Sequence, residues 1–168
     1  MGGRSLPEYF GPERFRAMSA HLADFARSFG VEGLKIHQRS PNTRAALAVA
    51  EFARDAGRLH QFRHAAMEAH WRRGEDLEDR AVLAACATEA GLDGAAAAKA
   101  ADDPTYQARV DAMGTEARRA RVTGIPTFLL GQRRVVGCQP YEVLAAAAEA
   151  EGAPRRQPPG EAAPLSST

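Results

Sequence analysis

The stretch Val122-Thr-Gly-Ile-Pro-Thr-Phe-Leu-Leu-Gly-Gln-Arg-Arg-Val-Val-Gly-Cys-Gln-Pro-Tyr141 decides the fold, because the periodicity of the chain changes within it. Residues 123–126 carry a glycine and a proline and predict a turn, and residues 127–130 are β-prone. Gly131-Gln132 is suited to a two-residue hairpin turn, and Val135-Val136 supplies the return strand. A last helix is expected from Gln139 or Pro140 to about residue 151. The stretch therefore predicts a β-hairpin followed by a helix.

Upstream of this stretch the chain has helical periodicity. The first helix is expected from Pro12 to Gly30. Its apolar residues recur at alternating steps of three and four, which places them on a single face. A short extended connector is expected at 31–37. The further helices are expected from Ser40-Pro41 to Gly57, from Leu59 to Arg72, from Asp79 to Gly91, from Asp93, and from Asp103-Pro104. The order is a run of helices, then strand, hairpin turn, strand and helix.

Length and composition fit one domain with room for a helical insertion. The chain has 168 residues, of which 45% are apolar, and its net charge of +1 comes from 22 basic and 21 acidic residues that are interspersed. This balance predicts neither a nucleic-acid partner nor a membrane partner. The start of the chain has no apolar signal region, which predicts a cytoplasmic location. The Pro-, Gly- and Ser-rich end, 152–168, is expected to be a disordered tail.

The two cysteines are far apart in sequence, so they form neither a disulfide scaffold nor a pair with the spacing of a metal-binding or redox motif. Cys86 falls in the middle of a helix on its apolar face and is expected to be buried. Cys138 lies between a strand and the start of the last helix, a position close to helix-terminal amides, so it is a possible reactive thiol. His60 and His64 are four residues apart, but no carboxylate or cysteine stands at a matching step. We therefore expect no metal site and no cofactor.

The segment 122–141 resembles the C-terminal half of DsbA-like thioredoxin folds. In that family a Val-x-Gly-Val-Pro-x-Phe run, a hairpin and a Gly-Ala-Gln helix start occur in the same register. Upstream, the chain is similar to the helical insertion of the FrnE-type subgroup at Asn42-Thr43, Ala46, 74–77 and 91–93. The resemblance covers residues 10 to 150. Leu47 stands where the subgroup often has histidine, and Cys138 where it usually has alanine.

The resemblance implies an α/β, mostly α fold: an incomplete thioredoxin-like fold with a helical insertion domain and a C-terminal β-hairpin plus helix. It divides the chain into an N-terminal remnant (1–11), the helical insertion domain (12–121), the C-terminal half of the thioredoxin-like domain (122–151) and the tail (152–168). The family begins with a strand, a helix that opens with Cys-x-x-Cys, and a second strand. This sequence has no counterpart of that portion, so we expect a truncated member without catalytic residues of its own.

In the family the proline of the conserved run follows a cis peptide bond, and the residue before it pairs with an extended substrate. The resemblance therefore implies a substrate-binding site at Thr123, Gly124, Ile125 and Pro126, with a cis bond between the last two. The implied partner is an extended polypeptide or thiol substrate.

Three functions remain open at this point. The first is a DsbA-like thiol–disulfide oxidoreductase that lacks its own redox-active dithiol. The second is a non-catalytic module that binds a peptide or partner at the sheet edge and the proline loop. The third is a relative of the 2-hydroxychromene-2-carboxylate isomerases and kappa glutathione transferases, which use a hydroxyl group instead of a dithiol. An exposed sheet edge also predicts a homodimer formed through that edge.

Overall fold

The computed structural model describes residues 3–155, and the described part of the chain is mostly helical. The elements in chain order are β1 (Arg4–Ser5), α1 (Leu6–Phe10), α2 (Pro12–Ser28), β2 (Arg39–Ser40), α3 (Arg44–Asp55), α4 (Leu59–Glu68), a π-helical turn (Ala69–Arg73), α5 (Arg80–Glu89), α6 (Gly94–Ala100), α7 (Pro104–Arg119), β3 (Thr127–Leu130), β4 (Arg133–Val136) and α8 (Tyr141–Ala150). The predicted α/β, mostly α class is confirmed. Most of the predicted tail, 156–168, lies outside the described residues.

The chain forms two compact units that divide inside α7, between Gly114 and Thr115. The first unit contains the helices α1 to α6 and most of α7. The second contains the hairpin β3–β4 and α8. The domain boundaries expected from the resemblance remain a prediction.

The core of the first unit is made by α3 to α6 and is built largely from alanine. Of the seventeen buried apolar residues in the described part of the chain, twelve are alanine. The largest fully buried side chains are those of Val49, Phe62, Leu83 and Cys86. Because alanine has only a Cβ atom, helices that pack through it approach closely. At Gly94, the first residue of α6, even a Cβ atom would lie only 2.8 Å from the carbonyl oxygen of Ala84 in α5.

Two of the predicted helix starts are confirmed by their capping bonds. The Asp79 carboxylate accepts a hydrogen bond from the backbone N–H of Ala81 at 2.8 Å, and Asp93 accepts one from Ala96 at 3.0 Å. Such caps satisfy backbone donors that the first turn of a helix leaves unpaired.

The predicted helix start at Ser40-Pro41 is wrong. Ser40 belongs to β2, where it pairs with Arg4 in a short antiparallel ladder, and α3 begins only at Arg44. The carboxylate of Glu78 accepts hydrogen bonds from the backbone N–H groups of Gly3 at 2.6 Å and Asn42 at 2.5 Å. Pairing in this ladder keeps residues 39–40 extended, so the helix starts later than the local sequence suggests.

The helix predicted from Leu59 to Arg72 is a single α-helix only as far as Glu68. It continues as the π-helical turn Ala69–Arg73 and ends at Gly74, which has a positive φ of 76°. The backbone N–H of Glu75 donates to the carbonyl of Ala69 at 2.9 Å and closes the end of the turn. The predicted stop at Gly74 is therefore confirmed. The change from α-helix to π-helix before it was not predicted.

The second unit holds the predicted hairpin in register, with Thr127 opposite Val136 and Leu130 opposite Arg133. Gly131, with a φ of 55°, turns the chain between the strands. The Glu151 carboxylate after α8 accepts from the backbone N–H of Gln132 at 2.9 Å and pairs with Arg133 at 3.1 Å. These bonds fasten the hairpin turn to the end of the last helix.

Candidate functional site

The loop that leads into β3 is held by two hydrogen bonds. The hydroxyl of Thr127 donates to the carbonyl of Gly124 at 2.6 Å, and the backbone N–H of Gly137 donates to the carbonyl of Pro126 at 2.8 Å. The peptide bond between Ile125 and Pro126 is cis. The loop is thus closed from within by Thr127 and tied to the residue that follows β4.

The residue between these two fixed points, Ile125, is open to solvent. It is 90% exposed, and no hydrogen bond from another described residue reaches its backbone N–H or C=O. Thr123 and Pro126 are also exposed, and Gly124 is half-buried. A backbone with free donor and acceptor groups beside an exposed apolar side chain is suited to pairing with an extended chain.

The two cysteines have opposite environments. Cys86 is fully buried in α5, and burial is the main reason why the pKa of its thiol is raised, with the carboxylate of Glu89 adding to the rise. Its predicted burial is confirmed, and a thiol of this kind is inert. Cys138 is exposed, in the short link between β4 and α8. Cys138 is therefore the accessible thiol of the two.

A feature that the sequence did not suggest is a pair of stacked imidazoles, His37 and His70. Their ring centroids are 3.9 Å apart and their planes differ by 1°. His37 Nε2 donates to the carbonyl of His70 at 2.8 Å, and His70 Nδ1 donates to the carbonyl of Glu75 at 3.3 Å. The ring of Trp71 packs edge-on against His70 at 4.8 Å. The pair joins the connector before β2 to the π-helical turn.

His70 is buried, with 8% of its surface exposed. Burial is the largest influence on its pKa and lowers it, and the neighbouring His37 lowers it further. The Glu75 carbonyl and the charge of Asp76 act in the opposite direction. The net effect favours the neutral imidazole, so His70 resists protonation in the folded chain.

His60 and His64, the other pair singled out in the sequence, lie on the exposed side of α4. Within residues 3–155 no group of three or more histidine, cysteine, aspartate or glutamate side chains is arranged to hold a metal ion. In the same range no helix is long and apolar enough to cross a membrane.

A family model described as a DSBA-like thioredoxin domain matches residues 1–149. The chain therefore belongs to the DsbA-like thioredoxin family, and this part of the predicted resemblance is confirmed.

Similarity to individual proteins also supports the family assignment. The chain is 26% identical over 136 residues to the uncharacterized protein YwbO of Bacillus subtilis, which covers 79% of this chain and 68% of that protein. It is similar in structure to a probable DsbA oxidoreductase of Streptomyces coelicolor, with a TM-score of 0.71 and 25% identity. That match covers 93% of this chain but only 65% of the Streptomyces chain, so the sequence spans about two thirds of its length. A solved structure from Nitrosomonas europaea, with a TM-score of 0.65 and 16% identity, supports the fold alone.

Proposed function

We propose that this chain is the substrate-holding part of a DsbA-like thiol–disulfide oxidoreductase of the FrnE-type subgroup. An extended polypeptide or thiol substrate binds at Thr123, Gly124, Ile125 and Pro126. The observation that carries the proposal is the exposed Ile125, whose backbone donor and acceptor have no partner within the described residues. The activity of the Streptomyces relative, named as a probable DsbA oxidoreductase, supports the reaction class.

The geometry of binding follows from the loop. A polypeptide that lies alongside residue 125 would exchange backbone hydrogen bonds with it, as strands do in a ladder. The bonds at Gly124 and Pro126 hold the loop on either side, so little conformational entropy is lost when the substrate binds. Recognition through the backbone requires no particular substrate sequence, which suits an enzyme that acts on unfolded chains.

The sequence contains two cysteines and no Cys-x-x-Cys motif. A dithiol exchanges disulfides because one thiolate attacks and the second thiol resolves the mixed disulfide. This sequence therefore does not itself supply the redox-active dithiol of the proposed reaction. Cys138 is a possible reactive thiol that can form a mixed disulfide but has no resolving partner beside it in sequence.

A second function is favoured by the same absence of a dithiol motif and by the strand edges. Among the described residues, β3 and β4 pair only with each other. A non-catalytic module would use the loop and a free edge to hold a partner strand, with no redox step. The two functions share the binding site and differ in whether disulfide exchange follows.

The binding step can be tested with insulin B chain whose cysteines are carbamidomethylated and whose N-terminus carries a fluorophore. Replacing Ile125→Pro removes the backbone donor, whereas Ile125→Ala shortens the side chain and keeps the donor. We expect the proline variant to weaken binding about tenfold or more, from loss of backbone hydrogen bonds, and the alanine variant to weaken it less. Fluorescence polarisation measures both, and circular dichroism melts show that each variant folds.

Equal binding by the wild-type chain and the proline variant would overturn the assignment of this loop.

Disulfide exchange is tested separately from binding. The chain should not catalyse insulin reduction by dithiothreitol, because it holds no dithiol motif. Robust turnover that persists in Cys138→Ser would contradict that expectation while leaving the binding site in place.

A further inference from the structure

The end of α7 has a backbone conformation that is unusual for the residue it carries. The backbone N–H of Arg121 donates to the carbonyl of Arg118 at 3.0 Å, and that of Val122 donates to the carbonyl of Ala117 at 2.9 Å. In this type of helix end the residue beyond the last turn is left-handed, and it is usually glycine. Here it is Arg121, with a φ of 53°, and among the described residues no other non-glycine residue has a positive φ. The turn is therefore strained and needs a stabilising contact.

The side chain of Arg134, in β4, supplies such a contact. Its guanidinium donates to the backbone carbonyls of Ala120 and Arg121, the second at 2.9 Å. Both carbonyls lie at the end of α7, where the last turn leaves acceptors without a partner inside the helix. The positive charge also lies at the end of the helix where the peptide dipoles favour a cation. Arg134 thus fastens the end of α7 to the hairpin.

This contact lies next to the loop that the proposed function uses. Two residues separate Arg121 from Gly124, whose carbonyl accepts from the Thr127 hydroxyl at 2.6 Å. Such a link reaches at most about 11 Å when it is extended, so its course depends on where its first residue is held. If Arg121 moved, the link would move with it and would change the position of Ile125.

The other arginine of β4 has a different partner. Arg133 pairs with the carboxylate of Glu151 at 3.1 Å, which fastens the hairpin turn to the end of α8. Adjacent side chains of a strand point to opposite faces, so Arg133 and Arg134 serve opposite sides of the hairpin. Arg133 therefore offers a matched control of the same residue type, charge and strand.

We propose that Arg134 is a positioning residue for the substrate site. By holding the end of α7 it sets the course of residues 122–125, and so presents the backbone of Ile125 to an extended substrate. Arg134 acts through Arg121 and contacts no substrate itself. The inference rests on the proposed binding function, but the positioning is a property of the free chain and can be measured without a substrate.

Replacing Arg134→Met keeps a long side chain and removes every donor. It should weaken binding of the labelled, carbamidomethylated insulin B chain about fivefold in fluorescence polarisation. The loss should be the same at low salt and at about 0.5 M salt, because salt screens an ionic contact with the substrate and does not correct a displaced loop. A loss confined to low salt would assign Arg134 to direct contact and overturn the proposal.

Arg133→Met is the control for charge and for the hairpin. It removes the same charge from the same strand and should leave the affinity for the B chain unchanged. An equal loss of affinity in both variants would overturn the specific role of Arg134. Circular dichroism melts establish that each variant folds, and the exposed positions of both side chains favour this.

A second substitution tests the route through Arg121. Glycine takes the left-handed conformation without strain, so Arg121→Gly should free the turn from its need for Arg134. The double variant Arg121→Gly with Arg134→Met should therefore bind the B chain within about twofold of the wild-type chain, although it has lost two positive charges. A double variant that binds no better than Arg134→Met would overturn the proposal.

Amide spectra of the ligand-free, ¹⁵N-labelled chain measure the positioning itself. Arg134→Met should shift the signals of Thr123, Gly124 and Ile125 and leave that of Ala95 in α6 in place, and Arg133→Met should leave the loop signals unchanged. Loop signals that do not respond to Arg134→Met would overturn the proposal. Absence of B-chain binding by the wild-type chain would refute the proposed function instead, and shifted loop signals would then still support the positioning by Arg134.

Discussion

At the scale of single residues, His70 links the stability of the helical unit to pH. Its pKa is lowered in the folded chain, chiefly by burial and further by the stacked His37. The unfolded chain has an ordinary histidine pKa of about 6.5 and binds a proton more readily. Because the unfolded state takes up more protons, the contribution of His70 to the free energy of unfolding should be constant above about pH 6.5 and should fall as the pH drops below it.

Urea unfolding at pH 7 and pH 5 checks this expectation. His70→Gln should reduce the fall in the unfolding midpoint between the two pH values, because glutamine does not titrate. His64→Gln, at an exposed position of α4, is the matched control and should keep the fall. The lowered pKa values of Asp55, Glu78 and Asp102 affect stability only at more acidic pH. A midpoint that is equally pH-dependent in wild type and His70→Gln would show that His70 is not the source.

The two cysteines should differ in reactivity as they differ in exposure. In the native chain, Ellman's reagent should label Cys138 quickly and leave Cys86 unmodified, because Cys86 is buried and its raised pKa disfavours the thiolate. After unfolding in urea, both thiols should react. Cys138→Ser should abolish the native signal and keep the signal released by unfolding. Fast native labelling in that variant would mean that α5 opens readily.

The burial of Cys86 was predictable because it depends on the helical period of its own segment. The stacking of His37 and His70 was not, because the two residues are 33 positions apart and meet only through the path of an irregular connector.

At the scale of elements, two of the correctly predicted helix starts are fixed by the side chain of the capping residue itself. Asp79 and Asp93 cap α5 and α6 through bonds that span two or three residues. The start at Ser40 failed because Ser40 pairs with Arg4, 36 residues earlier in the chain, in the β1–β2 ladder. Local capping preferences thus gave way to a contact between distant segments.

The close approach of α5 and α6 at Gly94 should make that position intolerant of any side chain. A Cβ atom there would meet the Ala84 carbonyl oxygen at 2.8 Å and the Thr88 hydroxyl at 2.7 Å, so the helices would have to separate. Gly94→Ala should destabilise the chain by about 1–3 kcal/mol, in spite of the better helix propensity of alanine. Denaturant melts measure the change.

Ala95→Ser, next to it and exposed, should change stability by less than about 0.5 kcal/mol. Thr88→Ala combined with Gly94→Ala should recover little, because the Ala84 carbonyl belongs to the backbone and cannot rotate away. A stabilised Gly94→Ala variant would show that α6 moves freely against α5.

At the scale of the whole molecule, the strand edges predict self-association. Within the described residues, β3 and β4 have no strand partner beyond each other, and Leu129 is 53% exposed. We expect two copies to pair through this edge, so light scattering should report a dimer. A charged side chain on an edge strand opposes such pairing, so Leu129→Lys should give a monomer. Val143→Lys, on α8 with 45% exposure, is the control and should remain dimeric. A wild-type monomer at all concentrations would contradict the expectation.

The family was recognisable at this scale because the segment 122–141 carries a turn, hairpin and helix start in one register, and each signal is local. The DsbA-like assignment and the mostly helical α/β class are both confirmed. The division of the chain into two units inside α7 was not foreseen, because the apolar period of that helix continues without a break across Gly114.

The alanine-rich core has a consequence for how stability changes with temperature. An alanine side chain has no rotamer freedom to lose, so ordering this core costs little side-chain entropy. It also removes little apolar surface from water per residue, and the heat capacity of unfolding depends mainly on that surface. The helical unit should therefore have a small heat-capacity change for its size. Its stability curve should be broad and flat, with a low maximum and little loss of stability on cooling.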